Sequence, residues 1–564
     1  MNRRGLTRRE LLAAFLGAPF ALAACGARGG RDEAPPLPGG EIVGASDRLG
    51  HLLRDGLRPE PETWERAGVC IVGGGVAGLA AAWRFLRAGF DDFVLLELEP
   101  EPGGTARSGS AHGVVAYPWG AHYLPAPRAD NRALVTLLDE MGVLEGADAG
   151  GEPVVAEQFL CRDPEERVFY RGRWYEGLYL HAGADAEDAR QLQLFNAEVD
   201  WWSAWRDARG RRAFDIPVAR CSDDAEVTAL DRLSMGDWMR ARGLDSGRLR
   251  WLVDYACRDD YGLTVEQASA WAGLFYFASR MSGPGAEAQS LITWPEGNGR
   301  IVRHLYEKAR SRVRLGLAVA DVRASGVDEG VAFKRPGAGG GVEVVAVGGD
   351  GGGAVGFRAD RVVFAAPQFM TKYLLKSYRE GGTPAHVAEF DYGAWMVANL
   401  FLADRPHAGF GFPEAWDNVL YESPSLGYVT ATHQRGLDRG PTVFTYYYPL
   451  TDENPRDARA RLLSAGRDEW AEVALSDLQR AHRDVRPLTR RLDVMRWGHA
   501  MIRPRVGFQW GGARARARRP LGRVHFANTD LSGVALFEEA FDHGLRAAEE
   551  VLAARGVRTE SMRG

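Results

Sequence analysis

Three glycines carry the first chemistry in this chain. Gly73, Gly75 and Gly78 fit the spacing GxGxxG. The first permits a tight turn, the second lets a diphosphate approach bare backbone, and the third lets a helix pack closely on its strand. The apolar β-formers Val69-Cys70-Ile71-Val72 come before them, and the run from Leu79 to Gly89 has the composition of a helix that stops at Gly89. The amides of Val76 and Ala77 then open a helix whose positive dipole end faces phosphate. A second strand, Phe93-Val94-Leu95-Leu96, ends at Glu97, 19 residues past Gly78. An acid there accepts from ribose hydroxyls and repels a 2′-phosphate, which argues against NADP. The spacing alone is weak, because Gly351 to Gly356 fits it too. That second match opens no helix and reads as a hairpin loop between strands at 342–347 and 357–364.

A second glycine pair follows the acid, in Gly103-Gly104-Thr105-Ala106-Arg107-Ser108. It resembles the GG motif of the flavin amine oxidoreductase superfamily, which includes monoamine and polyamine oxidases, L-amino-acid oxidases, protoporphyrinogen oxidase and phytoene-type desaturases. Tyr117-Pro118-Trp119-Gly120-Ala121-His122-Tyr123 resembles the family's next segment, where the chain returns beside the isoalloxazine. Thr105 stands where the superfamily usually has Arg, with Arg107 two residues later. The GGTxxS form looks closer to the desaturase branch. At the other end, Val524 to Asp530 is similar to the strand whose acid binds the ribityl or pyrophosphate region, with Asn528 for the usual glycine and Asp530 for glutamate. Phe537-Glu538-Glu539-Ala540, with Gly544, resembles the helix whose N-terminal amides face the flavin N1/O2 edge. The run 362–367 is similar to the returning strand, and 313–322 to the strand nearest the adenine, with Val319 as contact.

The resemblance implies FAD and an α/β fold: a Rossmann-like, GR2-type FAD-binding domain assembled from separated segments around an inserted α+β substrate domain. The expected pieces are 67–135, 290–370 and 490–557 for the flavin domain, with 136–289 (mainly helical) and 371–489 for the substrate domain. Trp201, Trp202, Trp205 and the stretch from Trp271 to Phe277 read as helix faces packing on one another. In a strand at 394–402, Trp395, Val397, Asn399 and Phe401 share a face by the period of two. Asn399 there is a satisfied core amide or a group reaching the pocket. Tyr446 and Tyr448 share a face in a strand at 442–448 and are candidates to line a cavity. Trp497 resembles the family's Trp near the flavin, and His433 and His499 are candidate acid–base groups. Many family members hold a water at flavin N5 with a Lys on the strand after the returning one. The matching strand, Gly393 to Leu400, has none.

The chain has 564 residues, 45% of them hydrophobic and 26% charged, which is ordinary for a multidomain globular protein. Thr7-Arg8-Arg9-Glu10-Leu11-Leu12 sets paired arginines before an apolar run to Ala24, as in a twin-arginine export signal. Leu22-Ala23-Ala24-Cys25 resembles a lipoprotein box, which makes Cys25 a lipid anchor on the exported side of a membrane. Without 1–24, which carry four arginines against Glu10, the net charge moves from −5 to −8. No basic stripe points to nucleic acid. Residues 25–66, rich in Gly, Pro and Arg, read as a flexible tether. Cys70 reads as a core residue. Cys161, Cys221 and Cys257 form no zinc pattern and leave a disulfide open.

The leading reading is hydride abstraction from a carbon of a small substrate, an amine or amino acid, to flavin N5, with oxygen or a quinone taking the electrons. The alternatives are a CH–CH desaturase, dehydrogenase or isomerase on an apolar substrate, and a non-catalytic flavin-fold binding protein.

Overall fold

The computed structural model describes residues 36–111, 115–286, 288–324, 340–349, 352–436, 439–451 and 454–563. The export segment 1–24, the anchor Cys25 and Gly351 lie outside the described residues. Strand β1 (Thr63–Val72), helix α1 (Val76–Arg87) and strand β2 (Phe93–Leu96) form where the apolar runs stand. β1 and β2 pair in parallel, Val69 to Val72 against Phe93 to Leu96, and these residues are buried on both faces. An excursion then supplies helices α2 (Gly247–Tyr261) and α3 (Ala270–Ala278). The chain returns as β3 (Val313–Arg314), β4 (Leu317–Ala324), β5 (Val342–Gly348) and β6 (Ala354–Phe364), giving the order β3-β2-β1-β6-β5-β4.

A second excursion makes β7 (Tyr392–Leu402), β8 (Thr442–Pro449) and β9 (Thr489–Ile502), neighbours in an eight-stranded sheet in the order β8-β7-β9. The far side of that sheet holds Glu166–Tyr170 and Arg173–Glu176 from the first excursion. The chain closes with β10 (Val524–Phe526), parallel to the end of β6, and α4 (Phe537–Ala554), which lies on α1. Gly544 permits that contact, since a Cβ there would sit 2.3 Å from the Ala77 carbonyl oxygen.

Several expectations change. The 313–322 strand breaks at Gly316 (φ +70°); only β3 lies beside β2, while β4 turns into an antiparallel meander with β5. β9 belongs to the eight-stranded sheet, so the last flavin segment starts beyond it rather than at 490. The 136–289 segment is helical from Ala186 onward but gives four short strands before that. The 25–66 tether is folded from Pro36 on. Residues 39–43 bond along β9, and a helix over Asp47–Arg54 buries Leu49 and Leu53, because its few apolar residues find a surface to cover. Cys70, Cys161, Cys221 and Cys257 are all buried free thiols. Trp202 and Trp271 sit in one apolar core, with Trp205 partly buried against it, whereas Trp201 is half exposed. No helix among the described residues is long and apolar enough to cross a membrane.

Candidate functional site

The dinucleotide groove is built from backbone. Gly73 holds φ +102°, and a Cβ on Gly78 would stand 1.9 Å from the Gly73 oxygen, whereas a Cβ on Gly75 would meet nothing within 4 Å. Space is therefore left where a phosphate approaches. The glycine pair lies against this turn, with the Gly103 amide donating to the Gly74 carbonyl at 2.9 Å. Glu97 takes N–H groups from Gly74 at 2.5 Å and Glu99 at 2.8 Å. Burial still pushes its carboxyl above the usual range, against the pull of those donors. Helices α2 and α3 begin with side-chain caps from Ser246 and Ser269. The helices at the groove, α1 and α4, have none, so the amides of Val76 and Ala77, and those from Phe537 onward, are left for an anion or a flavin edge.

Other groups fit the same cofactor. Arg107 pairs with Glu99 at 3.4 Å, and its buried Nε has no partner. Asp530 Oδ2 accepts from the Gln368 amide at 2.7 Å and the Tyr392 hydroxyl at 2.6 Å, which leaves Oδ1 for a ribityl hydroxyl. Burial pushes this acid up to about 6. Thr105 is exposed, and its carbonyl receives the Ala121 amide. Val319 is buried in the core under the meander, two residues past Leu317, whose amide bonds the Glu97 carbonyl.

The segment Pro118 to His122 is clamped by the other lobe. Asn399 is fully buried and donates to the Pro118 carbonyl at 3.1 Å while accepting from Thr445 at 2.7 Å. Trp497 donates to the Trp119 carbonyl at 2.7 Å and Tyr447 to that of Gly120 at 2.8 Å. His122 donates from Nδ1 to the Gly120 carbonyl at 3.1 Å, which leaves Nε2 as an acceptor. Its ring stacks on Tyr447 and lies 5.3 Å from that of Trp416. Burial lowers it to about 4, so it stays neutral.

Beyond His122 the lobe encloses acids. Arg280 bonds Asp260 at 2.8 Å and the Tyr123 hydroxyl at 3.3 Å, and Tyr255 donates to Asp417 at 3.1 Å. Glu166 and Asp259 stand close by, and among the described residues no group hydrogen-bonds their carboxylates. Burial first, then Glu165, pushes Glu166 up to about 7. Burial and neighbouring acids raise Asp259 and Asp417, and burial raises Asp260 against the pull of Arg280. Asp259 and Asp260 also lie in the last turn of α2, where the helix dipole disfavours negative charge. Among the described residues no three His, Cys, Asp or Glu side chains converge closely enough to hold a metal ion.

The two candidate histidines are elsewhere. His433 donates to the Arg162 carbonyl at 2.7 Å and joins two loops. His499 lies in the bulge where β9 spends four residues against two of β7, and this turns it outward to stack on Phe369. Tyr446 and Tyr448 face the helical layer, where Tyr446 bonds Asp477, so Tyr447 lines the site instead. Ser532, His543 and Glu539 look like a nucleophile with its base. However, His543 Nδ1 accepts from Arg546, so Nε2 donates to Ser532 and cannot take its proton. Sequence reasoning missed Glu166, Asp259, Asp260, Arg280 and Asp417. The one local signal was a pair of acids at a helix end that favours bases.

A split dinucleotide fold with an uncapped groove, together with a separate cluster of buried acids, defines a two-lobed nucleotide-dependent redox protein. The family described as flavin containing amine oxidoreductase matches residues 76–552, so the chain belongs to that family and is a flavin-dependent oxidoreductase. A search of curated proteins finds no match. Among solved structures, the fold is similar to a wild-type putrescine oxidase bound to putrescine, at 16% identity and TM-score 0.59, covering 87% of this chain and 100% of that one. It is also similar to cyclohexylamine oxidase from Brevibacterium oxydans IH-35A, at 17% and 0.56, covering 86% and 98%. A fatty acid isomerase from P. acnes matches at 12% and 0.57, with the same coverage.

Proposed function

We propose that the protein binds a small amine as its cation in the acid chamber, where a carboxylate takes a proton from the nitrogen so that the neutral amine can lose a hydride from the carbon bearing it. The carrying observation is the charge census: Glu166, Asp259, Asp260 and Asp417 meet two arginines, Arg280, already committed to Asp260, and Arg258, committed to Asp254. An ammonium relieves that crowding, whereas a fatty acid or amino acid carboxylate adds to it. When bound, FAD accepts the hydride. The protein's own part is to hold the ammonium among the carboxylates, flank it with Tyr447, Trp416 and Tyr255, and keep His122 neutral beside it. In support, two of the similar folds are those of a putrescine oxidase and a cyclohexylamine oxidase. The test is anaerobic titration of the yellow holoprotein with amines, diamines, amino acids and lipids, read as flavin bleaching. Amines bleach it; bleaching by lipids alone overturns the reading in favour of a desaturase or isomerase.

The acceptor is oxygen or a quinone, and the absence of Lys from β7 favours the quinone. With it goes export and lipid anchoring at Cys25, read from Arg8-Arg9 and the cysteine box. An acylated peptide beginning at Cys25 in membrane fractions, lost in Cys25→Ser, is the expected result.

A further inference from the structure

A cavity of about 230 Å³ opens beside the first turns of α4, with Pro217 and Arg220 on one side and Ser561 and Arg563 on the other. Its charges nearly cancel. Arg220 pairs with Asp130 at 2.8 Å and Asp215 at 3.1 Å, and Arg563 with Asp542 at 2.6 Å. Glu538 is left over. Only 6% exposed, it lines this cavity and also a smaller space bounded by Pro125 and Ser279. Among the described residues no group but its own amide donates to its carboxylate. Its charged neighbours beyond are Arg280 and Asp260, the ion pair of the chamber. Pro125 ends the strand that carries Tyr123, and Ser279 precedes Arg280, so the smaller space backs directly onto the chamber wall.

We propose that this cavity is the antechamber by which an amine cation reaches the chamber, and that Glu538 selects the cation there. The inference rests on the amine reading above. Burial pushes Glu538 up to about 7; once ionised, a carboxylate between low-dielectric walls concentrates monocations and repels anions. Because Glu538 is bound to no other side chain, an ammonium gains its carboxylate without breaking an internal hydrogen bond. The paired arginines at the mouth are spoken for and do not oppose the cation.

Two variants of the holoprotein test this. Glu538→Gln keeps the shape and removes the charge. Ala219→Trp, at an exposed position on the cavity lining, narrows the mouth far from the groove. For each, the second-order rate of flavin reduction by an amine is expected to fall about tenfold, and in Ala219→Trp the limiting rate at saturation stays within about twofold with the flavin spectrum unchanged. The dissociation constant for tetramethylammonium, whose quaternary nitrogen has no lone pair and so cannot support hydride loss, rises by a similar factor in Glu538→Gln by calorimetry. Wild-type second-order rates in both variants would overturn the antechamber while leaving amine oxidation intact. No bleaching of the wild type by any amine, together with no tetramethylammonium binding, removes both.

Discussion

The two lobes bury negative charge in opposite ways. In the dinucleotide lobe the two acids at the groove are met by fixed donors: Glu97 by two main-chain amides, Asp530 by an amide and a tyrosine. In the substrate lobe Glu166 and Asp259 are met by none, and Arg280 is shared out before it reaches them. The first site is complete in geometry before its ligand arrives. The second is incomplete in charge, and a cation is what completes it. Cofactor binding should thus depend on backbone shape, and substrate binding on electrostatics and pH.

The harshest break of this contrast is Gly73→Val, which puts a branched side chain at φ +102° against the Ala365 backbone at 3.3 Å. Flavin absorbance in the purified protein is expected to vanish. Full occupancy would mean that the groove is not the flavin site. Next comes Glu166→Gln with Asp259→Asn, which spares the groove. KM for an amine is expected to rise roughly 10- to 100-fold at unchanged flavin content, as for loss of close charge pairs. A pH series sharpens the same point. Glu166 titrates near 7 in the folded chain, above its ordinary 4.5, so the folded state holds an extra proton between those values. Stability without substrate therefore falls as pH rises through that window, a shift of a few degrees in melting temperature. Amine affinity moves the other way and weakens below pH 7. A melting temperature that is flat or rises from pH 5 to 8 would contradict this. The smallest effect belongs to His499→Ala and His433→Ala, which should leave kcat/KM within about twofold.

The groove was legible in sequence because its parts are neighbours. One strand, one turn and one helix carry Gly73, Gly75 and Gly78, and steric demand alone sets the residue types. The chamber was not, because Glu166, Asp259, Arg280 and Asp417 come from four separate stretches that only the folded sheet and helices bring together. Parity was readable in β7 and β8, but not which face meets the flavin lobe. That is why Asn399 proved a clamp on Pro118, and Tyr447 took the place expected of Tyr446 and Tyr448. His499 shows a third limit: a bulge reverses the direction of a side chain without any mark in composition.

The pairing of residues 39–43 with β9 has a practical consequence. β9 is a 14-residue strand at the border of its sheet, and an open border of that length offers another molecule a row of unsatisfied amides and carbonyls. The chain's own early residues occupy that row with bonds such as Val43 to Val494 at 2.8 Å. Trimming the protein to the start of β1 would strip this cover, and the shortened form would self-associate through its bared margin even with groove and chamber intact.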